Sequence, residues 1–142
     1  MLDWPALIRL QEQGVTLGAH SLTHRSLPSL SANELEDEVH GCADQIESRA
    51  GRRPTTFAYP YGHRDAASTQ AVARVFPWAC TTEFQPLSSE SRASALPRLD
   101  MGYFKTPRSL EGWGTPWFKT RLNLRHGLRR ARRLGLALRD PA

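Results

Sequence analysis

No stretch of this chain approaches the roughly 18 consecutive apolar residues that a membrane-spanning helix requires, and only 39% of its 142 residues are hydrophobic. That is enough for one domain with a modest core. Two cysteines, Cys42 and Cys80, are too few for a disulfide framework. Buried free thiols are expected, Cys42 on the apolar face of a predicted helix and Cys80 in a predicted strand. The opening MLDWPALIRLQ has neither the basic leader nor the apolar segment of a secretion signal, so a cytoplasmic protein is expected unless residues precede Met1. Internal repeats are lacking. Acidic residues are scarce at one end only: residues 1–100 hold 9 Lys+Arg and 12 Asp+Glu (net −3), residues 101–142 hold 10 and 2 (net +8), together the overall +5. Basicity belongs to the tail.

What is present alternates. Asp3 is placed to cap a short helix over DWPALIRLQEQ, which Gly14 stops, and VTLGA then favours a strand. Ser31 and Glu34 have the spacing of a capping box, and Leu35, Val39, Cys42 and Ile46 recur at 4, 3 and 4 residues along the helix it opens, up to Gly51. TTFAY reads as the next strand, ended by Pro60 and Gly62. A helix capped by Asp65 runs to Val75, and strands follow at WACTTE and ALPRLDM. Helices alternating with strands imply parallel pairing and an α/β architecture. In such folds ligands sit at the carboxyl ends of strands, which is where His20, the run Pro60-Tyr61-Gly62, and Asp100 fall. From Tyr103 the chain turns loop-like, and residues 116–139 read as a basic helix. Leu124, Leu128, Ala131 and Leu138 line one side and Arg125, Arg129, Arg132 and Arg133 much of the rest. The expectation is that the leucines pack on the domain. A contact with an anionic membrane surface is the alternative, and nucleic acid is not the expected partner.

His20 and His24 stand four residues apart in GVTLGAHSLTHRSLPSLS. That spacing can hold one metal ion, either on a helix face or by wrapping a loop round it; it also fits two unrelated surface histidines. Neutral imidazoles suit zinc, and a catalytic zinc site normally takes three protein ligands. The zincin arrangement needs Glu directly after the first His. Here Ser21, Leu22 and Thr23 intervene, so a zincin is excluded.

GVTLGAHSLTHRSLPSLSANELEDEV resembles the histidine motif region of the polysaccharide deacetylases, the NodB-homology family (carbohydrate esterase family 4). FAYPYG, Phe57–Gly62, resembles the loop motif in the form common among bacterial exopolysaccharide deacetylases, and LPRLDM, Leu96–Met101, resembles the late strand with a Pro-Arg pair. The resemblance spans roughly residues 4–104 and implies a deacetylase domain over 1–104 followed by a basic tail over 105–142. It implies a metal-dependent hydrolase that removes acetyl groups from a polysaccharide or oligosaccharide. The fold would be a partial, distorted (β/α) barrel with a C-terminal basic helix. His20 and His24 would be two of three ligands to a divalent metal, zinc first among them. The main-chain N–H of Tyr61 would stabilise the oxyanion. Tyr59, Pro60 and Tyr61 would line the substrate groove, with strand-end packing as the alternative role for both tyrosines. His63 is a candidate acid in the right titration range, as is His126 in the tail, and Arg98 would pair with a carboxylate near the site, Asp100 being of that type, with a structural role as the alternative for both.

The sequence also departs from the family. Its first motif, a strand ending in an Asp-Asp pair that supplies the base and the third ligand, has no counterpart here, and the final motif with a general-acid His is not recognisable. Reduced or no activity alone is therefore expected, with a polypeptide supplying the missing barrel portion as one partner. The alternative is a non-catalytic carbohydrate-binding remnant of the same fold.

Overall fold

The computed structural model describes residues 2–137, with side chains for 2–129 and 131. Helix α1 (Trp4–Glu12) begins where Asp3 accepts the Ala6 N–H at 2.9 Å, with Pro5 in the first turn. Helix α2 (Ala32–Ala50) opens on the expected box, Ser31 and Glu34 bonding each other's N–H, and closes at Gly51 in the left-handed region. Leu35, Val39, Cys42 and Ala43 are buried on its inner face, and Ile46 packs beside them. Strand β1 (Thr56–Ala58), helix α3 (Ala66–Val75), capped by Asp65, and strand β2 (Trp78–Cys80) follow.

β1 and β2 pair in parallel, Thr56 opposite Trp78 and Ala58 opposite Cys80. Single parallel bridges extend this pair on both sides, Ala19 to Phe57 and Leu96 to Cys80. This two-stranded parallel sheet with a bridge on each side, α2 lying between Ala19 and β1 and α3 between β1 and β2, is the α/β arrangement that the alternation implied. The strands are shorter than expected, for identifiable reasons. Pro60 turns the chain away from β1, so WACTTE loses its partner and ends at Cys80. Pro97 has no N–H for a ladder, and ALPRLDM keeps only Leu96 in register, its N–H donating to the Ala79 carbonyl at 2.7 Å. In VTLGA only Ala19 is bridged, donating to the Thr56 carbonyl at 2.8 Å and accepting from the Ala58 N–H at 2.9 Å. Gly18 permits that approach, because a Cβ there would lie 2.6 Å from Thr56 Oγ1.

The chain forms two compact units, Met1–Thr82 with Ser88–Leu96, and Glu83–Leu87 with Pro97–Ala142. Residues 97–104 thus group with the C-terminal segment. The first unit's core joins Leu27, Leu35, Val39, Phe57, Val72 and Phe76. Cys42 lies in it as a free thiol, its pKa pushed by burial up to about 11; Cys80 is also free, and partly buried. The second unit has its own core of Phe84, Phe104, Phe118 and Leu122, the last two from helix α4 (Pro116–Ala137).

This corrects the expected packing of the tail. Leu124 and Leu128 are 66% and 54% exposed, and Ala131 is exposed as well. Leu138 lies outside the described residues, as do the side chains of Arg132 and Arg133. Phe118 and Leu122 turn inward instead, the Phe118 ring packing 6.0 and 5.1 Å from the rings of Phe104 and Trp113.

Candidate active site

Ala19 is fixed in the sheet, so the chain leaves its carboxyl end with His20 already aimed. His20 Nδ1 lies 2.7 Å from the Ala58 carbonyl oxygen. An oxygen acceptor requires the proton on Nδ1, and Nε2 therefore presents its lone pair outward. His24 Nε2 is 3.1 Å from His20 Nε2, with the rings 4.7 Å apart at 75°. Two nitrogens this close need either one proton or one cation between them. Ligand bonds of 2.0–2.1 Å to both would subtend about 100°, near the tetrahedral value. The pair fits two positions of a metal site. No group of three or more His, Cys, Asp and Glu assembles among the described residues, so the third position has no donor there.

The loop that carries these rings is strained and clamped. Among the described residues, the non-glycine positions with positive φ are Ser21 (61°), His24 (61°) and Tyr61 (59°), all of them here. Such backbone costs of order 1–3 kcal/mol per residue and persists only where surrounding contacts enforce it. Glu38 supplies those contacts. Its side chain reaches out of α2 to accept the Leu22 N–H at 2.8 Å, the Thr23 N–H at 2.9 Å and the Thr23 hydroxyl. Burial alone would raise its pKa, but hydrogen bonds from Thr23, Leu22 and Ser21 outweigh it and hold the carboxyl below its ordinary value. Ser21 Oγ in turn accepts the His24 N–H at 2.9 Å. Sequence reasoning missed Glu38, although a signal existed: it sits three residues after Leu35 and four before Cys42, on the buried face of an amphipathic helix.

On the other side of the histidines, Tyr61 and Gly62 form a turn with consecutive positive φ of 59° and 72°. The Gly62 N–H closes it on the Tyr59 carbonyl at 2.9 Å. The Tyr61 ring is 57% exposed, 4.8 Å from the His24 ring and 5.6 Å from that of His63. His63 Nδ1 lies 3.1 Å from Ser26 Oγ. His20, His24, Tyr61 and His63 therefore form one continuous row of rings. Tyr59 and Pro60 do not join it. Both are buried, and the Tyr59 hydroxyl donates to the Ser94 carbonyl at 2.8 Å, so the packing alternative describes Tyr59 and neither residue is exposed to line a groove. Arg98, Asp100 and His126 belong to the second unit, where the Arg98 N–H donates to the Glu83 carbonyl, Asp100 pairs with Arg129 at 3.0 Å and His126 Nδ1 meets the Phe84 carbonyl at 3.2 Å.

A sequence profile of the polysaccharide deacetylases matches residues 3–75, 73 of the 142 residues. The chain belongs to the polysaccharide deacetylase family. Over 56 residues it is 39% identical to the peptidoglycan-N-acetylmuramic acid deacetylase PdaC of Bacillus subtilis (strain 168), covering 39% of this chain and 12% of that protein. The solved structure of a Streptococcus pyogenes deacetylase in complex with acetate superposes with a TM-score of 0.67 at 20% identity, over 69% of this chain and 44% of the other. A Bacillus cereus polysaccharide deacetylase gives 0.64 at 20% identity, over 69% and 32%. At that identity the likeness is one of fold, and the chain spans less than half the length of each of these relatives. The matched region of this chain contains both histidines, Glu38 and the Tyr61 turn.

Proposed function

We propose that the first unit is the metal-binding and oxyanion side of a carbohydrate deacetylase, one that hydrolyses acetyl groups from a polysaccharide or oligosaccharide, a bacterial exopolysaccharide among them. The observation that carries this reading is the His20–His24 pair, Nε2 to Nε2 at 3.1 Å with His20 Nδ1 committed to the Ala58 carbonyl. His20 and His24 would hold a divalent ion, zinc by preference for neutral nitrogen donors. When bound, such an ion supplies Lewis acidity toward the acetyl carbonyl. The Tyr61 main-chain N–H is the donor for charge developing on the carbonyl oxygen, and its exposed ring offers the sugar an apolar face. His63 is the nearby group able to hand a proton to the leaving atom, while Arg98 would act only where a carboxylate meets it. The architecture is proposed as part of the family's distorted (β/α) barrel, residues 1–104 carrying the deacetylase chemistry and 105–142 the basic tail. A carboxylate from outside residues 1–142, in cis or from a partner polypeptide, would supply the base and the third ligand.

Acetate release from acetylated chito- and xylo-oligosaccharides with added zinc tests this. General base catalysis contributes typically about 10²–10⁴-fold, so residues 1–142 alone should be slower than complete deacetylases by at least that factor. His20→Ala should abolish what remains. A rate typical of complete enzymes would mean that this chain holds a base, with Asp65 and Asp100 the first to mutate; release indifferent to both His20→Ala and His24→Ala would overturn the site. The lack of a third donor among the described residues favours a second reading, a carbohydrate-binding remnant. Oligosaccharide affinity unchanged by chelation, without acetate release, would support it.

A further inference from the structure

Helix α4 is apolar on two faces. Phe118 and Leu122 enter the second unit's core, while Trp117, Leu124 and Leu128 are 65%, 66% and 54% exposed. Steps of seven and four residues place these three on one line along the helix, and Ala131, also exposed, continues it. The sequence of Pro116–Ala137 includes Lys119 and Arg at 121, 125, 129, 130, 132 and 133, with no Asp or Glu; of these, Arg121 and Arg125 donate to the Ser109 and Tyr103 carbonyls and Arg129 pairs with Asp100. The Arg121 guanidinium lies 5.2 Å from the Trp117 ring, at the edge of the stripe.

We propose that this face of α4 docks onto an anionic lipid surface, the helix lying in the plane of the interface with Trp117, Leu124 and Leu128 inserted and the helix's excess of positive charge drawing it to the headgroups. Both halves of the pattern are then used. A nucleic acid would take the arginines but leave three large apolar side chains in water, and a second copy of this chain would set seven positive charges against seven. Tryptophan, apolar in body and polar at one end, suits such a boundary, and amphipathic helices of high basic charge bind there in proportion to apolar area and anionic lipid content. No helix among the described residues is long and apolar enough to cross a membrane, so the geometry is one of lying on it.

Co-sedimentation of the full chain with vesicles tests this, comparing pure phosphatidylcholine with an equal mixture of phosphatidylcholine and phosphatidylglycerol. Binding to the mixed vesicles should be at least about tenfold tighter and should weaken as salt rises. Leu124→Ser/Leu128→Ser removes apolar area without altering charge at exposed positions. It should cut that binding about tenfold or more while the melting temperature stays put. Vesicle binding untouched by the double substitution would overturn the proposal. So would binding to duplex DNA but not to vesicles, or a dimer that the double substitution dissolves while wild type ignores lipid. Should the serine variant unfold, a blue shift of tryptophan emission in the wild type on mixed but not neutral vesicles decides the matter, and its absence counts against the proposal.

Discussion

Helices α2 and α4 are close in length, 19 and 22 residues, and both carry apolar residues at helical spacing, yet they use them in opposite ways. α2 has one apolar face, buried along Leu35, Val39 and Cys42 and partly so at Ile46, and four of its six Asp and Glu, Glu34, Glu36, Asp44 and Glu47, pair with Arg25, Arg53 and Arg74. α4 has seven cations, no carboxylate and two apolar faces, of which one is buried. A helix with a single stripe has its inner face decided by periodicity. A helix with two stripes is not decided by periodicity: in α4 the face of Phe118 and Leu122 joins Phe84 and Phe104 in a core, while the face carrying the larger Trp117 stays exposed. In α2 the one carboxylate on the inner face, Glu38, is what connects the scaffold to the histidine loop.

The contrast between stripes is sharpest within α4 itself. Leu122→Ala, 3% exposed in the wild type, should lose about 2–5 kcal/mol in denaturant unfolding, whereas Leu124→Ala should stay within about 0.5 kcal/mol. Equal costs would mean that the exposed stripe has a partner. Next in size, Glu38→Gln should cost about 1–3 kcal/mol, because it removes the charged acceptor of two N–H groups and a hydroxyl. The same change should also weaken zinc binding by about 10–100-fold, the usual effect of loosening a group that orients a ligand. Loss of stability with metal affinity intact would make Glu38 a packing residue only. Ser31→Ala at the head of α2 should cost about 1 kcal/mol. The same contact governs acid behaviour. Hydrogen bonds from Ser31, with Arg25 assisting, hold Glu34 down at about 2, and Asp65 is lowered by Ser68 at the head of α3. Carboxyls with depressed folded values stabilise the protein above the ordinary carboxylate range and lose that effect as pH falls through their folded values. The melting temperature should therefore fall from about pH 4.5 toward 2, and by less in Ser31→Ala.

Much of the fold was legible because its signals are local. Asp3, Ser31 with Glu34, and Asp65 are caps whose partners lie three residues away, and each begins a helix as expected. Strand lengths were not legible, since they depend on when a neighbour turns away, and Pro60 ends β1's influence on β2 from 20 residues off. At the site, the spacing of His20 and His24 pointed to each other, and Tyr61 to the turn beside them. Tyr59 misled because alternation along FAYPYG does not say which tyrosine faces the core. Glu38 was missed because its role needs the loop at residues 21–24 folded over α2, which no linear pattern in the sequence expresses.

The proposed site requires His20 and His24 to share one metal ion through Nε2. Long-range proton–nitrogen NMR of the five imidazoles during a zinc titration measures this directly. Before zinc, His20 should be the Nδ1–H tautomer, as its bond to the Ala58 carbonyl requires. At one equivalent, the Nε2 resonances of His20 and His24 should move together, with those of His40 and His126 unmoved. Zinc that shifts His40, His63 or His126 first, or a His20 protonated at Nε2, would contradict it.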